Sequence, residues 1–167
     1  MFDQFSIKKQ EKEIFAREVP SSNIAYHSSY IAPVGPRILA YLKKLITNPK
    51  PRSEKWVSTS VPMHKWDTPQ AKLSSAEYHA NNLLSPVLFD EGSALIPKDA
   101  ITIEIAPHGL LQAILRKSLP SSTTNIALTK RNHSDNLQFL LEALGKMFVA
   151  GMHPQIGKFS RYPEVFT

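Results

Sequence analysis

The sequence predicts an α/β layered fold, and two stretches carry that expectation. "AITIEIAP" (100–107) is the strongest strand signal, with Ile101, Ile103 and Ile105 on one face. Leu110, Leu111, Ile114 and Leu115 follow it at helical spacing. "TNIALTK" (124–130) then repeats the strand signal. A long amphipathic stretch succeeds it, with Leu137, Leu140, Leu141, Leu144, Met147 and Phe148 pointing inward, Ser134 as its cap and Gly151 as its stop.

The earlier elements are shorter. Asp3–Lys12 is polar and reads as a short helix, and "EIFAREV" (13–19) alternates like a strand. Pro20 to Asn23 is a turn, and Ile24-Ala25-Tyr26 reads as a second extended piece. Pro36 suits the first position of a helix, because its missing N–H costs no hydrogen bond there. Ile38, Leu39, Leu42, Leu45 and Ile46 continue that helix to about Thr47. "KWVSTSV" (55–61) alternates and is rich in β-branched residues, so a strand is expected, followed by a polar loop from Pro62 to Leu73. Ser74 with Glu77 has the form of a capping box for a helix through Leu83 or Leu84. Ser85-Pro86 resembles a further helix start carrying Val87, Leu88 and Leu95, and residues 152–167 read as a linker.

Composition narrows the function classes. The chain has 167 residues, enough for one domain with a core, and its 42% apolar and 20% charged content is globular. It has no cysteine, which excludes disulfides, thiolate nucleophiles and zinc–thiolate sites. Its apolar runs fall far short of the roughly 20 residues that span a bilayer. Its first residues lack the apolar core of a signal peptide, so a cytoplasmic protein away from membranes is expected. The net charge of +6 is uneven. Residues 37–65 hold seven Lys/Arg (Arg37, Lys43, Lys44, Lys50, Arg52, Lys55, Lys65) against Glu54, whereas residues 66–104 lean acidic. No Arg/Gly or Arg/aromatic interleaving points to nucleic acid, so a solvated helix face or a surface for an acidic partner is expected.

Few motifs carry chemistry. None of the six histidines (27, 64, 79, 108, 133, 153) forms H-x-x-x-H or a facial triad with a carboxylate, so no metal site is expected. Dinucleotide and P-loop signatures are absent, as is the G-x-S-x-G elbow; "EGSAL" and "NHSDN" lack its second glycine. His27, in "SSNIAYHSSYI", lies at a strand-to-helix junction with no nucleophile placed to serve it, and Ser28 and Ser29 read as caps. On local grounds it is a structural histidine.

The blocks "EIFAREV", "NIAYHSSYI", "PRILAYLKKLI", "PKPRSEKWVSTSVP", "SSAEYHANNLLSPVLF", "ITIEIAPHGLLQAIL" and "DNLQFLLEALGKMFVAG" change that reading. Together, from about residue 2 to about residue 153, they resemble the later part of the malonyl/acetyl transferase domain of animal type I fatty acid synthases. The resemblance implies an α/β-hydrolase-like core with a ferredoxin-like small subdomain. Residues 1–23 would be the last helix and strand of the small subdomain, 24–151 the C-terminal half of the core, and 152–167 a tail. It implies ping-pong acyl transfer: a serine attacks an acyl-coenzyme A thioester, a histidine takes the proton, and the carrier protein's phosphopantetheine thiol then takes the acyl group.

By that resemblance Ala25-Tyr26-His27-Ser28 matches the family's "AFHS" motif, and His27 is the general base. Its orienting partner is a backbone carbonyl of the segment matching "NNLLSP", assigned to Asn82, and Tyr26 lines the acyl pocket where the family has phenylalanine. No cofactor is implied. Acyl-coenzyme A and the carrier-protein arm are substrates, and the partners are the acyl carrier protein and the rest of a synthase that is dimeric in the family. The family's serine elbow, malonyl-binding arginine and oxyanion-hole segment have no counterpart in this sequence. A fragment that transfers no acyl group by itself is therefore expected, with apolar faces and a strand edge left open. Two alternatives stand beside this reading: a non-catalytic module binding carrier protein or synthase subunits through Arg37–Lys65, and an acyltransferase piece of a polyketide synthase.

Overall fold

The computed structural model describes residues 21–159, which form two compact units, one ending at Gly92 and the other beginning at Ser93. The helix expected over 3–12 and the strand over 13–19 lie outside the described residues.

In the first unit Ile24-Ala25-Tyr26 is not extended. Residues 22–27 form tight turns, with Ser22, Asn23 and His27 in the left-handed region at φ 54°, 59° and 58°. A 3-10 turn over Ser29–Val34 leads into helix α1 (Gly35–Leu45), with Pro36 in its first turn as expected. Ile38, Leu39, Leu42 and Ile46 are half-buried, but Leu45 is exposed and does not join the apolar seam. Strand β1 (Lys50–Pro51) pairs antiparallel with β2 (Leu73–Ser74), and Lys50 lies opposite Ser74. Between them, the expected loop contains a 3-10 turn at Met63–Lys65 and helix α2 (Pro69–Lys72).

The segment 55–61 is not a strand. The carbonyls that a ladder would use are taken by other donors: Thr59 O by Leu88 N–H (2.8 Å), Ser60 O by Asn81 Nδ2 (2.8 Å) and Val61 O by Trp66 Nε1 (2.8 Å). The loop instead braces helix α3 (Ala76–Leu84). The hydroxyls of Ser58 and Tyr78 are 2.9 Å apart and buried, and Val61, Ala71 and Tyr78 form a core cluster against which Trp66 packs. Trp56 meets Tyr78 edge-on at 5.7 Å, and the Arg52 guanidinium lies over both rings at 5.6 and 5.2 Å.

Helix α3 starts one residue later than the capping-box reading. Ser75 is the cap, its Oγ accepting the Tyr78 N–H at 3.1 Å, while the Ser74 hydroxyl bonds His79 Nε2 at 2.9 Å. That register buries Ala76, Tyr78 and Ala80. Glu77 sits in the first turn, its carboxyl held below the ordinary glutamate value by a backbone N–H, then by Lys43 at 3.0 Å and by the Ser75 hydroxyl. A depressed carboxyl contributes stability above its ordinary pKa and loses it as pH falls through the folded value. Both partners of the ion pair are more than half exposed, so that contribution is small. In a ¹³C-detected titration, the Glu77 midpoint is expected below the ordinary glutamate value, and Lys43→Ala should return it only partway. An ordinary midpoint in the unsubstituted chain would contradict the hydrogen bonding described.

Ser85 does not open a helix. It closes α3, its N–H donating to Asn81 O at 2.9 Å, and the next helix, α4, begins at Phe89 and ends at Ser93.

The second unit is a strand–helix–strand module followed by a long helix. Strands β3 (Ile101–Glu104) and β4 (Thr124–Ala127) are parallel, with Ile101 opposite Thr124 and Glu104 opposite Ala127. Helix α5 (Gln112–Ser118) makes the crossover that parallel pairing requires. Glu104 is buried and caps α5: its carboxylate accepts the Leu111 N–H (2.8 Å) and Gln112 Nε2 (2.9 Å). Of the three isoleucines expected on one face, Ile101 packs on the core, whereas Ile103 is exposed and Ile105 is 86% exposed.

Helix α6 (Asn136–Val149) is capped by Asp135 rather than Ser134, its carboxylate accepting the Gln138 N–H at 2.9 Å. Ile126, Ala143, Leu144 and Met147 form the core, with Ile101, Leu128, Leu140 and Met152 packed on it. Leu137, Leu141 and Phe148 are exposed, contrary to the inward assignment: one helix presents one stripe to a two-stranded sheet, and these residues lie beside that stripe. Gly151 (φ 88°) ends the helix as expected. Its N–H donates to Phe148 O (2.9 Å) and the Met152 N–H to Met147 O (3.0 Å), a Schellman closure that folds Met152 onto the core.

Candidate active site

The site is built at the C-terminal end of α3. The last carbonyls of a helix have no intrahelical partner and must find donors elsewhere. Asn81 O is satisfied by Ser85 N–H. The next two are satisfied by a single residue far away in the chain: Leu83 O accepts the backbone N–H of His27 at 2.9 Å, and Asn82 O lies 2.8 Å from His27 Nδ1. Both donors of His27 thus meet consecutive carbonyls.

A carbonyl oxygen can only accept, so Nδ1 carries the proton in this contact. The neutral ring is then the Nδ1–H tautomer, and Nε2 keeps its lone pair available to take a proton. The turn that presents His27 is specialised. Its φ of 58° places a residue with a Cβ in the left-handed region, a conformation that costs on the order of 1–3 kcal/mol unless the surroundings hold it. Here the bond to Leu83 holds the backbone, and the Ser28 hydroxyl closes the turn by donating to Ala25 O at 2.6 Å.

Of the residues singled out from the sequence, His27 and the Asn82 carbonyl meet directly. Tyr26 lies beside them in the chain, its N–H donating to Ile24 O at 2.9 Å and its side chain 47% exposed. Sequence reasoning missed Leu83, whose carbonyl holds the His27 backbone, because a main-chain contact leaves no trace in residue type. It also missed Ser60, which was assigned to a strand. A groove of about 730 Å3 in the second unit, lined by Thr124, Asn125, Ile126, Glu142, Lys146 and Val149 among others, holds none of these residues. Among the described residues no helix is long and apolar enough to cross a membrane.

A histidine held by a carbonyl through Nδ1 has the geometry that proton transfer at Nε2 would use. The chain belongs to the acyl transferase domain family, which matches residues 4–154. Among curated proteins it is 30% identical over 149 residues to a highly reducing polyketide synthase of Aspergillus nomiae, an alignment covering 83% of this chain and 6% of that protein. It is 31% identical to a highly reducing polyketide synthase of Aspergillus sclerotiorum over 151 residues (83% and 6%). It is 30% identical over 169 residues to one from a Fusarium species (96% and 6%). The chain spans about 6% of the length of these relatives. The acyl transferase expectation holds, and these relatives are polyketide synthases, the alternative that stood beside the fatty acid synthase resemblance.

Proposed function

We propose that the chain forms part of the acyl transferase domain of a polyketide-synthase-like multidomain protein, with His27 as the general base. The observation that carries this is the Nδ1 contact to Asn82 O, which leaves Nε2 as the proton acceptor. In the proposed reaction a serine hydroxyl supplied by the rest of the domain attacks the thioester carbon of an acyl-coenzyme A. Nε2 takes the serine proton and returns it to the departing coenzyme A sulfur. The phosphopantetheine thiol of a carrier protein then attacks the acyl-serine and gives its proton to the same nitrogen. The serine recovers its proton as the acyl group leaves. The surrounding core is proposed to be α/β-hydrolase-like, no cofactor enters the reaction, and Tyr26 is proposed to border the acyl group.

A second reading, docking of an acidic carrier protein without catalysis, draws on one surface feature. Arg37 and Lys44 flank the exposed Tyr41 ring at 5.8 and 5.7 Å, a basic stripe along α1. One experiment separates the readings. The 167-residue chain and an intact acyl transferase domain containing it are each incubated with radiolabelled malonyl-coenzyme A and carrier protein. The intact domain is expected to carry label and pass it on; the chain alone, whose sequence contains no G-x-S-x-G, should acquire no stable label. An unlabelled intact domain that nevertheless captures carrier protein, and releases it in salt, would favour docking. Repeating the loading with acetyl-coenzyme A tests the fatty-acid-synthase variant, for which loading from both thioesters is expected.

A further inference from the structure

We infer that Ser60 is a positioning residue for His27, acting through the two asparagines that end α3. This rests on the reading of His27 as a base. Ser60 is buried, and its backbone and side chain are both committed to that helix end. Its carbonyl accepts Asn81 Nδ2 at 2.8 Å, and its hydroxyl oxygen accepts Asn82 Nδ2. Its N–H donates to Ser58 Oγ at 3.2 Å, and that hydroxyl is paired with the buried Tyr78. One residue therefore clamps two consecutive side chains in the last turn of a helix, where ends ordinarily fray.

The consequence reaches the imidazole through the backbone. The carbonyls that hold His27 belong to Asn82 and Leu83, within or next to the clamped pair. The direction of the Asn82 carbonyl decides whether Nδ1 or Nε2 carries the ring proton, and the amide of the same residue is tied to Ser60. Residues 27 and 82 are 55 positions apart, so the turn around His27 cannot by itself fix the direction of the Asn82 carbonyl. The segment 58–60, which has a strand-like sequence and no ladder, has its purpose here: it supplies a rigid polar shelf beneath the helix end.

The test reads the tautomer, not turnover, and uses the 167-residue chain labelled with ¹⁵N-histidine. Long-range ¹H–¹⁵N correlations are recorded at a pH where the rings are neutral. The unsubstituted chain is expected to show His27 as Nδ1–H with Nε2 unprotonated. Ser60→Ala should lower the Nδ1–H to Nε2–H ratio about three- to tenfold, the effect of losing one net hydrogen bond, and Ser60→Thr, which keeps a hydroxyl, should largely restore it. His79, bonded to Ser74 at the other end of α3, reports whether the helix survives. An unchanged His27 ratio in Ser60→Ala, with His79 also unchanged, overturns the inference while leaving the base reading intact. An Nε2–H signal in the unsubstituted chain overturns both. Should Ser60→Ala also disturb His79, Asn82→Ala decides, because it removes the amide but keeps the carbonyl. A fallen ratio in that variant supports the inference and an unmoved one overturns it.

Discussion

Replacing His27 by alanine in an acyl transferase domain that contains these residues is expected to slow acyl-enzyme formation by about 10²–10⁴-fold, the usual contribution of a positioned base. The loss should fall on the rate of loading with little change in KM, because in the proposed mechanism the imidazole moves protons during the reaction and does not serve to bind the coenzyme. The backbone adds a complication that a second variant resolves. His27 has φ 58°, where alanine is strained and glycine is not. His27→Gly should therefore be as slow as His27→Ala but better folded, and free imidazole should restore part of its activity by occupying the vacated site. Loading within tenfold of the unsubstituted rate in both variants would remove His27 from the mechanism.

The largest structural effect is expected at Tyr78. Its ring is buried against Val61 and Ala71, Trp56 meets it edge-on, the Arg52 guanidinium lies over it, and its hydroxyl pairs with Ser58. Tyr78→Ala should cost about 3–5 kcal/mol, the range for deleting a large buried aromatic side chain. Tyr78→Phe should cost about 1 kcal/mol, since it keeps the ring and removes one hydrogen bond from the Ser58 hydroxyl, which still accepts the Ser60 and Val61 N–H groups. Urea titration followed by tryptophan fluorescence measures both, because Trp56 and Trp66 border this cluster. The two variants should differ severalfold in effect. If Tyr78→Ala costs no more than Tyr78→Phe, packing on Tyr78 is not what anchors α3, and the support proposed for the His27 carbonyls lies elsewhere.

These expectations join the two levels of the site. The imidazole depends on carbonyls at the end of α3, and α3 depends on its packing against the loop 56–61 and on Ser60 at its last turn. Damage at Tyr78 should therefore appear at His27 as a mixed tautomer, transmitted through α3.

How much of this was legible beforehand follows from the kind of interaction involved. β3, β4, α1, α5 and α6 could be read from strand-like runs and helical spacing, and α3 from its capping-box pattern, because those signals reflect the intrinsic geometry of each element. Caps were misplaced by one residue at Ser74/Ser75 and Ser134/Asp135, where adjacent residues have equally suitable side chains and packing selects between them. The segment 55–61 failed as a strand for a different reason: its alternation is real, but its carbonyls are claimed by Asn81, Leu88 and Trp66, donors that come near only in the folded chain.

The residues alone marked the chain as similar to an acyl transferase domain, and the family match over residues 4–154 agrees, because that signal is carried by side-chain identity and order. Tertiary structure decided what identity cannot encode. It turned His27 into the left-handed region, set its two donors against consecutive carbonyls of α3, and placed Ser60 beneath them. Main-chain carbonyls are the same in every residue. Which of them a distant imidazole meets depends on where a helix stops and on what packs behind it.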